Sequence, residues 1–254
     1  MIKQSSGSQS FQRIPYVSCI MPTRNRREFV PLAIRYFLQQ DYPFKELVIV
    51  DDGENKVRDL LPDNKAIKYI SLDGPLTIGK KRNIAIEASR GEVIIHWDDD
   101  DWFATNRISL QVHSLIDHEH CVNGLNKLIF LDMIHQRAWL YECQKASKPW
   151  LAGGTLCYRR KVWQEKEFDD LTYGEDTQFL WSRKECRILP VSDFTFYVAT
   201  IHSRNTVIKN FCSDYWVTFP ITECQKMIST DYRFYMDGTL EALDERYHWD
   251  FCAQ

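Results

Sequence analysis

Four aspartates in succession, Asp98 to Asp101, follow the apolar stretch Val93-Ile94-Ile95 and are flanked by Trp97 on one side and Trp102-Phe103 on the other. Carboxylate oxygens are the ligands that hard divalent cations prefer. Mg²⁺ or Mn²⁺ held by one or two of them completes its shell with water and phosphate oxygens. A solvated acidic turn is the ordinary fate of a charge run, but it has no use for an apolar lead-in and three aromatics. A divalent-cation site accounts for both. An EF-hand is excluded, because the loop glycine and the distal glutamate are missing.

Other residues of chemical interest are spread along the chain. Asp51-Asp52-Gly53 ends the apolar run Leu47 to Val50, and a carboxylate there can accept a hydrogen bond from an imide or amide N–H or simply cap a turn. Lys80, Lys81 and Arg82 lie near the start of an expected helix, where side-chain charge adds to the positive end of the helix dipole. For Lys81 a solvated basic face is the favoured reading. Gly153-Gly154 allows a close approach of backbone to a ligand, or a plain turn. Glu175-Asp176 precedes an expected helix, a place where acids cap the backbone as readily as they do chemistry. His202 stands just past an expected strand.

Positioning these groups falls to an alternation of strands and helices. Tyr16 to Met21, Leu47 to Val50, Ile67 to Ile70 and Val93 to Ile95 read as strands, and the lack of polar alternation in Leu47 to Val50 predicts burial on both faces, as in a parallel sheet. Helices are expected from about Glu28 to Leu38, from Thr77 to Ser89, and from near Thr105, whose hydroxyl can cap it. The fold class is therefore α/β, a doubly wound, mostly parallel sheet. Lys127 to Asp132 and Ala138 to Cys143 look like a small antiparallel add-on, and Leu156 to Tyr158 and Phe194 to Thr200 like further strands. In such sheets ligands bind beyond the carboxyl ends of the strands, where Asp52 and the aspartate cluster fall. Residues 1–14 read as a loose tail, 15–204 as the main domain, and 205–254 as an extension, helical or irregular, that packs on the core or offers an acceptor or partner surface.

With 254 residues and a net charge of -3, the chain can bury a large core and has no global attraction for nucleic acid. The absence of a long apolar run and the polar residues Met1 to Ser10 lead to the expectation of a cytoplasmic protein, with peripheral association at the inner face of a membrane left open. The eight cysteines form no CxxC pair, so free thiols in a reducing compartment are expected rather than zinc or a disulfide scaffold.

In order and spacing, these motifs resemble those of the family 2 glycosyltransferases, inverting enzymes of the GT-A fold. The matching stretches are Pro22-Thr23-Arg24-Asn25-Arg26, Val48 to Gly53, Gly79 to Ala85, Gly91 with Asp98 to Asp101, Gly153-Gly154, Gly174-Glu175-Asp176, and Ile201 to Thr206. The resemblance implies a nucleotide-sugar donor, with UDP-sugars favoured, and a carbohydrate or glycoconjugate acceptor in polysaccharide synthesis. It implies that Pro22, Thr23 and Arg24 wrap the nucleoside, that Asp52 meets the base, and that Arg82 with Lys80 meets the diphosphate. The DXD element is then Asp98-x-Asp100, or Asp99-Asp100 in the alternative register. Asp100 and Asp98 would hold Mn²⁺ or Mg²⁺, Asp99 would face the ribose, and Asp101 would be structural or assist the acceptor. His202 corresponds to a metal-contacting histidine and tilts the preference toward Mn²⁺. Asp176 corresponds to the catalytic base.

For the acceptor, the candidates are Trp150, Gly153, Gly154 and Glu175, with Trp181 expected in the core. Two other readings use the same residues. A nucleotidyltransferase would need a glycine-rich phosphate loop, and Pro22 to Arg26 has no glycine. A non-catalytic nucleotide-sugar binding module would need no Asp176.

Overall fold

Successive residues of three neighbouring strands feed two different cores. In the computed structural model, which describes residues 14–116, 121–143, 148–182, 187–207, 209, 211 and 213–236, strands β1 (Val17–Thr23), β2 (Lys45–Asp51), β3 (Ile67–Ser71) and β4 (Val93–His96) run parallel in the order β4-β1-β2-β3. Cys19, Met21, Leu47, Ile49 and Ile95 face helices α1 (Val30–Leu38) and α3 (Arg107–Leu115). Ile20, Val48, Val50 and Ile94 face helix α2 (Ile78–Ala88) and the residues Phe179 and Leu180. A strand buried on both faces must be apolar throughout, which is why these strands show no alternation.

The sheet widens on the β4 side through β9 (Cys157–Arg159), antiparallel to β4, then β6 (Cys121–Gly124) and β10 (Arg187–Pro190), giving seven strands. Strand β5 (Trp102–Phe103) leaves this sheet just after the aspartates and pairs with β11 (Tyr197–Ile201) of a second sheet. That sheet also contains β7 (Lys127–Asp132) and β8 (Arg137–Glu142), antiparallel as expected, and β12 (Trp216–Phe219) against β8. The aspartates thus occupy the chain's crossing from one sheet to the other.

The remaining helices are α4 (Arg160–Glu165), α5 (Glu175–Trp181), α6 (Ile221–Ile228) and α7 (Tyr232–Met236). The sheet therefore runs past residue 204 through β12, where helical or irregular packing was expected; mixed polar and aromatic residues hid a strand that is buried only in part. Helix α3 is not capped by Thr105: it starts after Asn106, which makes no side-chain cap hydrogen bond. Trp181 is not core either. It is 42% exposed and donates its Nε1 proton to the Pro149 carbonyl at 2.8 Å.

Among the described residues, no helix is long and apolar enough to cross a membrane, and Cys19, Cys121, Cys143, Cys157 and Cys224 are free thiols. The expected tail, apart from Ile14, and Cys186, Cys212, Cys252, Tyr247 and Trp249 lie outside the described residues.

Candidate active site

A cleft of about 550 Å³ opens at the carboxyl ends of β1 and β4 and is closed on its far side by the second sheet and the start of α5. Pro22, Thr23, Arg24, Arg82, Trp150 and Asp176 all line it, as do the four aspartates, Gly153, Gly154 and Glu175. Asp52, Lys80 and His202 do not, and each has another place.

Asp52 lies beneath the cleft with its side chain fully buried, accepting from Lys81 Nζ and from the Leu76 amide, each at 2.8 Å. Lys81, expected on a solvated face, is buried, as is Arg82, and only Lys80 of the basic trio stays outside. A carboxylate under a helix needs a cation, and the helical turn puts Lys81 inward and Lys80 outward. Lys80 pairs with Asp170 at 2.8 Å on the surface.

The four aspartates are held individually. Asp99 accepts from the Thr23 hydroxyl at 2.6 Å and from Arg26 Nη1 at 3.1 Å. Burial nevertheless pushes its carboxyl up to about 7, against the pull of Arg26. At Asp100 burial acts in the same direction, but the Arg26 guanidinium and the His202 hydrogen bond outweigh it and hold the group at about 2. Asp101 accepts from the Tyr197 hydroxyl and from the Thr200 amide at 2.8 Å, and burial together with Asp100 drives it well above the carboxylate range. Asp101 is thereby a structural tie between the two sheets. Asp98 is the half-buried one and faces Arg82 Nη2 at 3.8 Å.

His202 stacks on Phe29 and places Nε2 3.0 Å from Asp100 Oδ2. Its Nδ1 accepts the Arg204 amide proton at 3.1 Å, which leaves the ring proton on Nε2, pointing at Asp100. The carboxylates of Asp98 and Asp100 and a neighbouring imidazole suit a divalent cation in their chemistry. They are not gathered into a ready-made shell: among the described residues no group of three or more His, Cys, Asp or Glu side chains is arranged to hold a metal.

Arg82 is the hub of the cleft floor. It is buried, donates Nε to Glu175 Oε1 at 3.3 Å, and sets Nη1 2.5 Å from His96 Nδ1. Burial raises the Glu175 carboxyl above its ordinary value although Arg82 opposes this, and burial and the two arginines, Arg82 and Arg107, hold His96 well below a normal imidazole.

The glycine pair is explained by what leans on it. A Cβ on Gly153 would lie 2.8 Å from Cγ of Asp176, and one on Gly154 would lie 2.6 Å from the Tyr197 hydroxyl and collide with Asp98. The close approach expected at these glycines is to the carboxylates of the site itself. Asp176 sits in the first turn of α5, with Oδ1 accepting from the Thr177 amide at 2.6 Å.

Sequence reasoning missed Arg26, His96, Arg107 and Tyr197. Arg107 is fully buried; it donates to the carbonyls of His96 at 2.6 Å and Gly154 at 2.8 Å and lies over the rings of Trp97, Phe103 and Tyr197. Its signal was readable: Arg107 and Gln111, four apart, share the inward face of α3 with Ile108, Val112 and Leu115.

A family model described as glycosyl transferase family 2 matches residues 18–166, more than half of the chain. The chain belongs to this family. Within glycosyl transferase family 2, an Escherichia coli protein named as the colanic acid biosynthesis glycosyl transferase WcaA is 37% identical over 101 residues, covering 38% of this chain and 36% of the relative. A Campylobacter jejuni protein named GalNAc(5)-diNAcBac-PP-undecaprenol beta-1,3-glucosyltransferase is 30% identical over 105 residues, covering 38% and 33%. The matches thus span only about a third of these relatives' length.

Two solved structures share the GT-A fold. Staphylococcus aureus TarS with UDP-GlcNAc aligns with a TM-score of 0.54 at 18% identity, covering 87% of this chain and 72% of that one. The mannosyltransferase PcManGT of Pyrobaculum calidifontis, with GDP-Man and Mn²⁺, aligns with 0.58 at 15% identity, covering 76% and 59%.

Proposed function

We propose that the protein is an inverting, metal-dependent glycosyltransferase that moves a sugar from a nucleoside-diphosphate sugar, a UDP-sugar first, to a hydroxyl of a carbohydrate or glycoconjugate acceptor in polysaccharide synthesis. The observation that carries this reading is the Gly153-Gly154 turn, which lets Asp176 and Asp98 share one cleft with Arg82. A base, a leaving-group cation and an acidic tip on one cavity are what single displacement requires.

In the proposed reaction the acceptor hydroxyl gives its proton to the Asp176 carboxylate while its oxygen bonds to the anomeric carbon. The bond from that carbon to the diphosphate oxygen breaks on the opposite face, and the electron pair leaves with the nucleoside diphosphate. The Thr177 amide fixes Asp176 in orientation. Arg82, already charged and oriented by Glu175 and His96, meets the departing diphosphate without reorganising. Pro22, Thr23 and Arg24 would flank the nucleoside, with Asp52 placed below them. Asp98 and Asp100, with His202 beside them, would hold Mn²⁺ or Mg²⁺, which when bound supplies Lewis-acid stabilisation of the leaving group. Trp150 and the glycine turn would receive the acceptor. Work at the cytoplasmic face of a membrane is part of the proposal.

The test is release of nucleoside diphosphate from a panel of UDP- and GDP-sugars, with Mn²⁺ or with EDTA, by wild type and Asp176→Asn. Loss of a positioned base costs about 10²–10⁴ in rate, so the variant is expected to bind the donor and lose most turnover. Binding without turnover in both proteins would instead make this a nucleotide-sugar binding module.

A further inference from the structure

Asp99 and Asp100 are already bridged by a cation. Arg26 gives Nη1 to Asp99 Oδ1 at 3.1 Å and to Asp100 Oδ2, and Nη2 to the Arg204 carbonyl at 2.7 Å. One side chain from the loop after β1 therefore closes over the acid tip of β4 and fixes the residues that follow β11. The three partners are little exposed, 13% for Arg26 against 6% and 9% for the two carboxylates, so solvent screens this contact less than it would a surface pair.

The same oxygen, Asp100 Oδ2, also lies 3.0 Å from His202 Nε2 and 3.4 Å from Asn205 Nδ2. A carboxylate oxygen has two lone-pair sites, and here three donors converge on one. A divalent ion using this oxygen has to take the place of one of them. Arg26 is the charged donor that bridges two acids, so it is the one whose position the ion contests.

We infer that Arg26 competes with the divalent cation for Asp99 and Asp100, and keeps the metal weakly held until a nucleoside diphosphate binds. The inference rests on the glycosyltransferase reading for the identity of the nucleotide. A diphosphate brings anionic oxygens that serve the ion as ligands and the guanidinium as a new partner, so Arg26 leaves Asp100 without losing its charge pairing. Its contact with the Arg204 carbonyl keeps it at the cleft. Competition of this kind is a coupling free energy and is reciprocal: whatever Arg26 costs the metal, the metal costs the Arg26 contact.

The experiment measures Mn²⁺ affinity from the electron paramagnetic resonance signal of the free ion, first without nucleotide and then with UDP. It compares wild type with Arg26→Gln, Arg26→Lys and Arg204→Gln. Arg204 serves as the charge control, because its guanidinium engages Glu28 and the Asn25 carbonyl and does not touch the acid tip. Without nucleotide, Arg26→Gln is expected to bind Mn²⁺ about tenfold tighter than wild type, within the usual range of coupling. Its gain on adding UDP should be correspondingly smaller, and Arg204→Gln should be unchanged.

Arg26→Lys, which keeps a charge but cannot bridge two carboxylates, should move in the same direction and decides the matter if the glutamine variant does not fold. Equal Mn²⁺ affinity in wild type and the Arg26 variants, or an equal rise in Arg204→Gln, overturns the inference. Nucleotide-sugar turnover by wild type, measured alongside, separates this failure from a failure of the transferase reading.

Discussion

Arg82 Nε lies 3.3 Å from Glu175 Oε1, and through this pair helix α2 is tied to the first turn of the helix that carries Asp176. Both side chains are about 95% buried, and the same guanidinium reaches His96 and faces Asp98. A planar guanidinium spreads its donors over three separate nitrogens and so reaches three separated partners; an ammonium offers its three donors from a single point. Arg82→Lys is therefore expected to leave Glu175 buried with a weakened partner, at a cost of roughly 3 kcal/mol, the lower end for breaking a buried pair. Urea unfolding measures that loss. Steady-state kinetics should show a higher KM for the nucleotide-sugar together with a lower kcat, because in the proposed reaction Arg82 meets the diphosphate and its pair with Glu175 helps set α5.

Lys81 and Asp52 form a second buried pair, 6% and 0% exposed at the side chain. Lys81→Met removes the cation and leaves the carboxylate with only the Leu76 amide as partner. The expected loss is roughly 3–5 kcal/mol. The double variant with Asp52→Asn should be less unstable than the sum of the two single variants, since the second change removes the stranded charge. A double-mutant cycle by chemical denaturation reads the coupling directly; additivity would show that the two side chains do not act as a pair.

The parallel sheet was legible because burial on both faces leaves an unmistakable apolar pattern in β1, β2 and β4, and because acids at the ends of such strands have few other uses. What the pattern hid were the counter-charges. Nothing in the run Lys80-Lys81-Arg82 says which cations turn inward; that Lys81 does so follows from Asp52 lying under the helix, a relationship between residues 29 apart in sequence. Arg26 stood inside a motif already singled out, yet its role depends on where β1 and β4 end relative to one another. Gly153 and Gly154 were recognised as a place of close approach, while the identity of what approaches required Asp176, on a different element, to be placed against them. Trp181 followed helical spacing into an expected core and instead found a carbonyl at the surface. Most single elements of the first half were readable from sequence, β12 was not, and partners across elements were not.

His96 sets a pH limit on the fold. Its imidazole is fully buried, and burial first, then Arg82, holds its pKa well below the ordinary 6.5. Above pH 6.5 both folded and unfolded states keep this group neutral, and it contributes no pH dependence. As pH falls through 6.5 the unfolded chain takes up a proton that the native imidazole refuses, so stability falls with acidification. His96→Asn removes this linkage. Denaturation at pH 7.5 and pH 5.5 should show wild type losing more stability between the two than the variant does; an equal loss in both would assign the acid sensitivity elsewhere.

Gly153→Ala probes the catalytic geometry without touching a charge. The new methyl would lie 2.8 Å from Asp176 Cγ and 3.0 Å from its Cβ, closer than carbon atoms approach, so the carboxylate must swing away or α5 must shift. The backbone at Gly153 does not need a positive φ, so alanine brings no conformational strain of its own. The fold is expected to survive, because the atoms that must yield belong to the end of one side chain at a cleft. A displacement of about 1 Å in a catalytic group costs on the order of 10²-fold in rate. Turnover should therefore fall by that factor while nucleotide-sugar affinity, which in the proposed reaction rests on Arg82 and the aspartate cluster, stays near wild type. The pairing with Asp176→Asn supplies the check: once the base is gone, adding Gly153→Ala should cost little more. If the glycine substitution slows the Asp176→Asn enzyme as much as it slows wild type, its effect does not run through the carboxylate, and Asp176 loses its claim to be the base.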